Sequence, residues 1–382
     1  MKKIICNSMK RWILYSICAL FCISCEKNPV NELITKFDNN MEAAESFGGG
    51  NGTQGAPFLI NDALQLKKLV VDVNSGNNFA NTYFRLMTNI EVTADEWIPI
   101  GDNNSSSARF GGIFDGNNQT ISGTLKSNKY SEFGFFGYLG EGARISDLTI
   151  TASVKNEGDF VSASSEITVC TGAVAGRNYN ANIMIINCHI TGTVTGGMGN
   201  YSYTGGVIGI VRGSESIIHN CSVSGQITGG KGIGSDGWVT VGGIIGVLFE
   251  GVIDQCSIAE STKITGGECD IVSNNRTGGI TGNNQDRITG CTNNAVVSGE
   301  GMAGGLAGYN SGVIHTGLNT GNVSGNGTYS GGLAGFNASG EQAHIYSCCT
   351  GSGSVNNQTA SSGNQIGSGK NVETCPDGHA KR

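Results

Sequence analysis

Short apolar runs alternating with polar residues fill most of the chain; "ITGTVTG" (190–196), "VSGQITG" (223–229), "NAVVSG" (294–299) and "TGNVSG" (320–325) are examples. A period of two predicts strands with one buried and one exposed face. The Gly, Asn, Ser and Thr between the runs predict turns. One stretch breaks the pattern. After a short "FLI" strand (58–60), Leu66, Leu69, Val70 and Val73 share one helical face, and Asn61 or Asp62 is placed to cap the helix. Beyond it, "TYFRLMTNIEV", "EWIPIG" and "RFGGIFDGNNQTISG" read again as strands, with a turn at Asp115-Gly116.

A repeat organises these runs. A five-residue glycine phrase occurs as GAVAG from Gly172, GGVIG from Gly205, GGIIG from Gly242 and GGITG from Gly278, then as GGLAG from Gly304 and Gly331. FGFFG from Phe133 is a degenerate first copy, and the later starts lie 33, 37, 36, 26 and 27 residues apart. That is a solenoid period with loops inserted at some turns. About a dozen residues after each phrase comes a second: Ile, two others, then Leu148, Cys188, Cys221, Cys256, Cys291, Gly317 or Cys348. Exchange among Leu, Cys and Gly says that the position wants a small apolar side chain, so these thiols are expected to stack as an internal ladder. Disulfides between neighbouring rungs are the alternative, and no recurring His or acid stands beside the thiols to complete a metal site. Nine cysteines follow Cys25, an odd number, with no CxxC among them. Cys375 is a candidate partner for Cys348 or Cys349.

Three short strands per turn, with Gly or Asn at the corners, describe an all-β fold: a right-handed parallel β-helix. The short α-helix belongs to an N-terminal cap over its apolar end. Glycines of the phrase would supply positive-φ bends and permit close approach of neighbouring coils. Asn178, Asn283, Asn284, Asn310 and Asn337 would take left-handed corners or hydrogen-bond along a ladder. About eight turns would make a rod of about 40 Å. "GGLAGYNSGVIHTGLNTGNVSG" resembles the GLUG motif of bacterial surface proteins, named for its glycine–leucine–any–glycine core, and six units fit from Gly172 to about Val355. Residues 48–130 are similar to the usual lead-in of such proteins in Bacteroidetes. The resemblance implies a secreted or surface-bound protein acting in adhesion. Some proteins with this repeat also carry a metalloprotease domain, but none of the five His here lies in an HExxH.

The expected organisation is a leader (1–24), a tether (25–47), the cap and first strands (48–130), GLUG-type repeats (131–356) and a C-terminal cap or tail (357–382). In the leader, Lys2, Lys3, Lys10 and Arg11 precede the 12-residue apolar run "WILYSICALFCI", too short to span a membrane. The run ends at "CISC", which looks like the lipobox of bacterial lipoproteins. Cys25 is then the acylated residue, although Cys22 stands where a lipobox usually has Leu. Loss of the leader removes those four cations and no acid, taking the net charge from −7 to −11. Such acidity argues against nucleic acid as a partner. The expected partner is instead the outer membrane, through a lipid on Cys25, with display at the cell surface.

Gly counts 62 against 4 Pro without a collagen period, and charged residues are only 14%. Catalytic chemistry has little to draw on. β-Helices host polysaccharide lyases and glycosidases, and glycosidases need two facing carboxylates. Here Asp254, Glu268, Asp270 and Asp286 are scattered, and Asp115 reads as a turn acid. "GGKGIGSDG" (229–237) approaches the calcium nonapeptide of RTX β-rolls, but its Asp falls two places late and it occurs once. His219 and His315 share a repeat position with two units between them, and no nucleotide or nucleophile motif is present. No cofactor is therefore expected. Tyr201, Tyr203 and Trp238, in Gly-rich insertions beside successive coils, are the candidate ligand-binding residues, with Arg177, Tyr179, Arg212 and Lys231 near them in the repeat. The function expected is non-catalytic binding to a glycan or a host or matrix protein. The alternatives are a carbohydrate-active β-helix enzyme and a passive envelope component.

Overall fold

The computed structural model describes residues 34–374 other than 103–104, 161–165, 326–328, 341, 357, 360–365 and 370–371. The leader, Cys25 and Cys375 lie outside the described residues. One coil shows the plan: Tyr201–Gly205 forms a first face, Ile208–His219 a second and Ser222–Thr228 a third. Each strand pairs in parallel with its counterpart in the next coil, as in Tyr201↔Trp238, Ile208↔Ile245 and Ser222↔Ser257. The chain is a parallel β-helix. The second face bends midway; in the preceding coil it is two strands, Ala175–Asn178 and Met184–Ile186.

Stacking in register turns each repeat position into a column. The third residue of the glycine phrase points inward at Val174, Val207, Ile244, Ile280, Leu306 and Leu333, all fully buried. The thiol column behaves as expected: Cys188, Cys221, Cys256, Cys291 and Cys348 are buried and free. A Cβ on Gly317 would lie 2.5 Å from a Leu306 methyl, so Leu306 fills the space that a thiol takes in other coils. Cys349, by contrast, is disulfide-bonded.

The glycine phrase makes a corner, but not by positive φ. The left-handed residues sit in the second phrase instead, at Asp147, Asn187, Asn220, Gln255, Gly290, Thr316 and Ser347, where the chain turns from the second face to the third. The phrase needs Gly because backbones touch. A Cβ on Gly243 would sit 2.1 Å from the Gly279 carbonyl oxygen, and one on Gly305 2.1 Å from that of Gly332. The asparagines are likewise not at left-handed corners. Asn284 Nδ2 donates to Asn310 Oδ1 and Asn310 Nδ2 to Asn337 Oδ1, both at 2.6 Å, forming an inward amide ladder that satisfies buried polar groups.

At the N-terminal end, Ala63–Asn74 is the expected helix, with the Asp62 carboxylate accepting from Gln65 N–H at 2.9 Å and Leu66, Leu69, Val70 and Val73 buried. The tether expected over 25–47 needs correction. Ile34–Phe37 pairs in parallel with Asn89–Val92, and buried Phe37 packs on Trp97 with ring centroids 5.0 Å apart. Four residues are too few for an alternating pattern to stand out in a polar segment. The coils also start earlier and end later than the repeat suggests. From Phe58–Ile60 to Val372–Thr374, eleven strands follow one another on the second face, giving a rise of about 50 Å. Part of the expected C-terminal tail therefore continues the stack, with Ile366–Gly369 pairing on Ala334–Asn337. The first coils are filled by Phe84, Phe110, Phe114, Phe135 and Phe136, where later ones use Ile, Val and Leu.

Candidate functional site: an arginine–aromatic seam

The last glycine of each phrase lets the first and second faces close on each other. A Cβ on Gly209 would lie 2.6 Å from Gly176 O and 2.8 Å from Thr171 N; one on Gly246 would lie 2.9 Å from Thr204 N. Two outward columns then meet along the outside of the rod. One holds the residue two places before the phrase (Cys170, Tyr203, Thr240, Arg276, Met302) and the other the residue just after it (Arg177, Ile210, Val247, Asn283, Tyr309, Phe336). Cys170, Ile210 and Val247, with Tyr203 and Phe249 against them, form a small apolar cluster separate from the main core. Burial pushes the Cys170 thiol up to about 12 and raises the Tyr203 phenol as well.

Toward the N-terminal end of this seam, cations and rings alternate. Arg109 lies over Tyr138 at 4.1 Å, Arg177 lies between Tyr138 and Tyr179 at 5.6 and 5.3 Å, and Arg212 lies over Tyr179 at 4.7 Å. Arg212 Nη1 also donates to the Tyr179 hydroxyl at 2.9 Å. Arg177 has an acid partner, Glu132, at 3.5 Å, and both side chains are largely buried. Burial alone would lower the Arg177 pKa, but Cys170, Glu132 and Tyr138 outweigh it and hold it above the usual value.

Toward the C-terminal end the arrangement differs. The Arg276 guanidinium lies 4.3 Å from the Trp238 ring centroid and 4.1 Å from that of Tyr309. Tyr309 stacks on Phe336 at 5.4 Å, and Tyr329 meets Phe336 at 6.1 Å. The neighbours of Arg276 on its own face are Thr240 and Met302. Among the described residues no acid or hydrogen-bond acceptor meets it, and its buried Nε has no partner. Burial lowers its pKa to about 10, against a smaller opposing effect of Tyr309 and Tyr203, so it is charged at neutral pH.

The three aromatics singled out from sequence are neighbours, but not in loops. Tyr201 and Tyr203 lie on Tyr201–Gly205 and Trp238 begins Trp238–Gly242, with Tyr201 and Trp238 in register. Gly-rich flanks suggested insertions, whereas Val239 and Val241 turn inward and tie that segment to the sheet. The Tyr201 hydroxyl donates to Glu166 at 2.7 Å, and its ring stacks near Tyr203 at 6.3 Å. Arg276, Tyr309 and Phe336 were missed. Their signal was present, since two of them directly follow a glycine phrase and the third stands two places before one. Lys231 lies elsewhere, on a short ladder with Met198–Gly199 and Glu268–Cys269.

Asp115, Asp254, Asp286 and Glu268 have local partners. Asp115 accepts from Arg85 Nε at 2.8 Å and from Asn117 N–H at 2.7 Å, the pattern of a turn residue. Asp254 faces His219 at 2.8 Å, and Asp286 accepts from Gly251 N–H at 2.8 Å. His315 packs on Tyr346 at 4.7 Å, away from His219. At the corner between the third and first faces, a groove of about 400 Å³ is lined by paired glycines and by Glu157, Asp159, Lys231 and Glu268. Glu268 is 3.4 Å from Lys231 there, and Lys155 holds the Glu157 carboxyl below its usual range.

Residues 200–228, one coil from the start of the first face to the end of the third, match the family described as the GLUG motif. The chain carries the GLUG motif. It is also 31% identical over 140 residues to a protein of Evansella cellulosilytica provisionally named a Gly-rich membrane protein; the match covers 35% of this chain and 14% of that relative. A crystal structure of a Bacteroides ovatus protein, provisionally named an immunoglobulin A1 protease, superposes with a TM-score of 0.51 over 88% of this chain and 87% of that one, at 20% identity. At that identity the likeness establishes a shared β-helix fold.

Proposed function

We propose that this GLUG-repeat β-helix is a lipoprotein of the outer membrane, displayed at the cell surface, that binds a glycan or a host or matrix protein without catalysis. The observation that carries the reading is the seam. Half-buried Trp238, Arg276, Tyr309 and Phe336 line the outside of the rod over successive coils. Rigid rings supply large contact area at small entropic cost, and arginine adds a planar fork of donors. The lipobox at Cys25 and the membrane-protein name of the relative support the anchor. Among the described residues no helix is long and apolar enough to cross a membrane. Expressed with its leader, Cys25→Ser should move the protein from the membrane pellet to the soluble fraction; retention in the pellet would count against the anchor. The binding test is the full chain in mild detergent on arrays of polysaccharides and matrix proteins, scoring both retained protein and ligand consumed. Retention that weakens with Trp238→Ala supports the reading.

One observation favours the enzymatic alternative: Glu157, Asp159, Lys231 and Glu268 share a groove. Consumption of a polysaccharide, abolished by Glu268→Gln, would replace the binding reading with a carbohydrate-active one.

A further inference from the structure

We propose that the C-terminal half of the seam binds an anionic glycan, with the ligand's carboxylate or sulfate ester on Arg276. This deepens the binding reading and rests on it. The half-buried Arg276 guanidinium, with its Nε buried and unpartnered, carries a desolvation cost unless a counter-charge or full hydrogen bonding offsets it. The ring faces of Trp238 and Tyr309 offset part of that cost, but they accept none of its five N–H donors as an anion would. The protein has the means to supply an acid in this position. In the same seam Arg177 faces Glu132, whereas Arg276 has Thr240 and Met302 beside it. A ligand anion completes the set: a carboxylate or sulfate matches the guanidinium fork in a charge-assisted pair.

The surroundings select the kind of anion. Tyr309, Phe336 and Tyr329 continue from Arg276 toward the C-terminus, so apolar ring surface follows the cation rung by rung. An acidic polysaccharide offers both parts in repeat, a charge and the apolar face of a sugar ring. The net charge of −7 disfavours polyanions at long range. Recognition must then come from short contacts at Arg276, and affinity should depend on one cation rather than on a basic field.

Isothermal titration of the full chain tests this with two matched pairs: dextran against dextran sulfate, and methyl-esterified pectin against polygalacturonate. The first pair isolates the sulfate ester and the second the free carboxylate. Binding to at least one anionic member and at least tenfold weaker binding to its neutral match is expected. Arg276→Gln should remove that preference with an unchanged melting temperature, Arg276→Lys should restore it in part because a point charge lacks the planar fork, and Met302→Glu should abolish it by placing an acid beside the guanidinium. Arg85→Gln, remote from the seam, should change nothing. Equal affinity for both members of each pair, or full preference in Arg276→Gln, overturns the anionic inference while leaving glycan binding in place. Binding of poly-glutamate alone, lost in Arg276→Gln, overturns the glycan assignment in favour of an acidic protein. No binding in any arm, with arrays also blank, overturns the inference and the binding reading together.

Discussion

Arg177 and Arg276 occupy the same seam, each stacked on aromatic rings and each with a buried Nε lacking a partner. One is closed by Glu132 and the other is open. The consequences for charge are opposite, since Arg177 is held above its usual pKa while burial pulls Arg276 down to about 10. Where the anion is internal, the seam acts as a secondary core that locks the first and second faces together. Where none is found among the described residues, the same construction leaves a half-buried arginine with only ring faces beside it. The seam therefore closes an arginine of the second-face column with an acid and leaves one of the first-face column with rings alone.

The largest effect should come from breaking the closed half. Arg177→Met leaves the buried Glu132 carboxylate without its counter-charge, with only the Ser131 hydroxyl donating to it at 2.6 Å, and an expected loss of about 4 kcal/mol in urea unfolding. Next, Gly246→Ala should cost about 3 kcal/mol, because its Cβ would meet Gly209 O at 2.6 Å and pry apart the faces that form both halves. A cost near zero would mean that the faces are not held by backbone contact. Glu132→Gln, a smaller change of about 1–2 kcal/mol, should turn the closed half into an open one. It should also add a second anion site, visible as doubled stoichiometry with dextran sulfate. An interior control outside the seam, Cys256→Ala, should lose about 1 kcal/mol. The smallest effect is the sharpest contrast: Arg276→Met should remain within about 1 kcal/mol of the parent, since the lost ring contacts are offset by the charge no longer buried. A loss as large as that of Arg177→Met would mean that the two halves do the same structural job.

Much of the fold could be read in the chain because a solenoid makes three-dimensional neighbours periodic. The thiol column followed from the Leu–Cys–Gly exchange at a fixed offset, and the helix over Ala63–Asn74 from its apolar face and cap. Ile34–Phe37 escaped notice because a four-residue strand is recognisable only beside its partner, Asn89–Val92. Gly-rich flanks describe a turn and a tight corner equally well, so they point to a loop at Trp238 where the structure has a strand. Arg276 escaped for a different reason: nothing local marks an arginine as lacking a counter-charge.

Repetition alone therefore determined that this chain stacks, which columns face inward and where the coils turn, since those properties recur at fixed offsets from each glycine phrase. Tertiary structure decided that two outward columns press together, that Glu132 meets Arg177, and that no acid among the described residues meets Arg276. The physical reason lies in distance. Stacking and alternation depend on neighbours one rung away and leave a period in the sequence, whereas the closing angle between two faces, and the charge balance inside it, is set by backbone contacts that leave only a glycine behind.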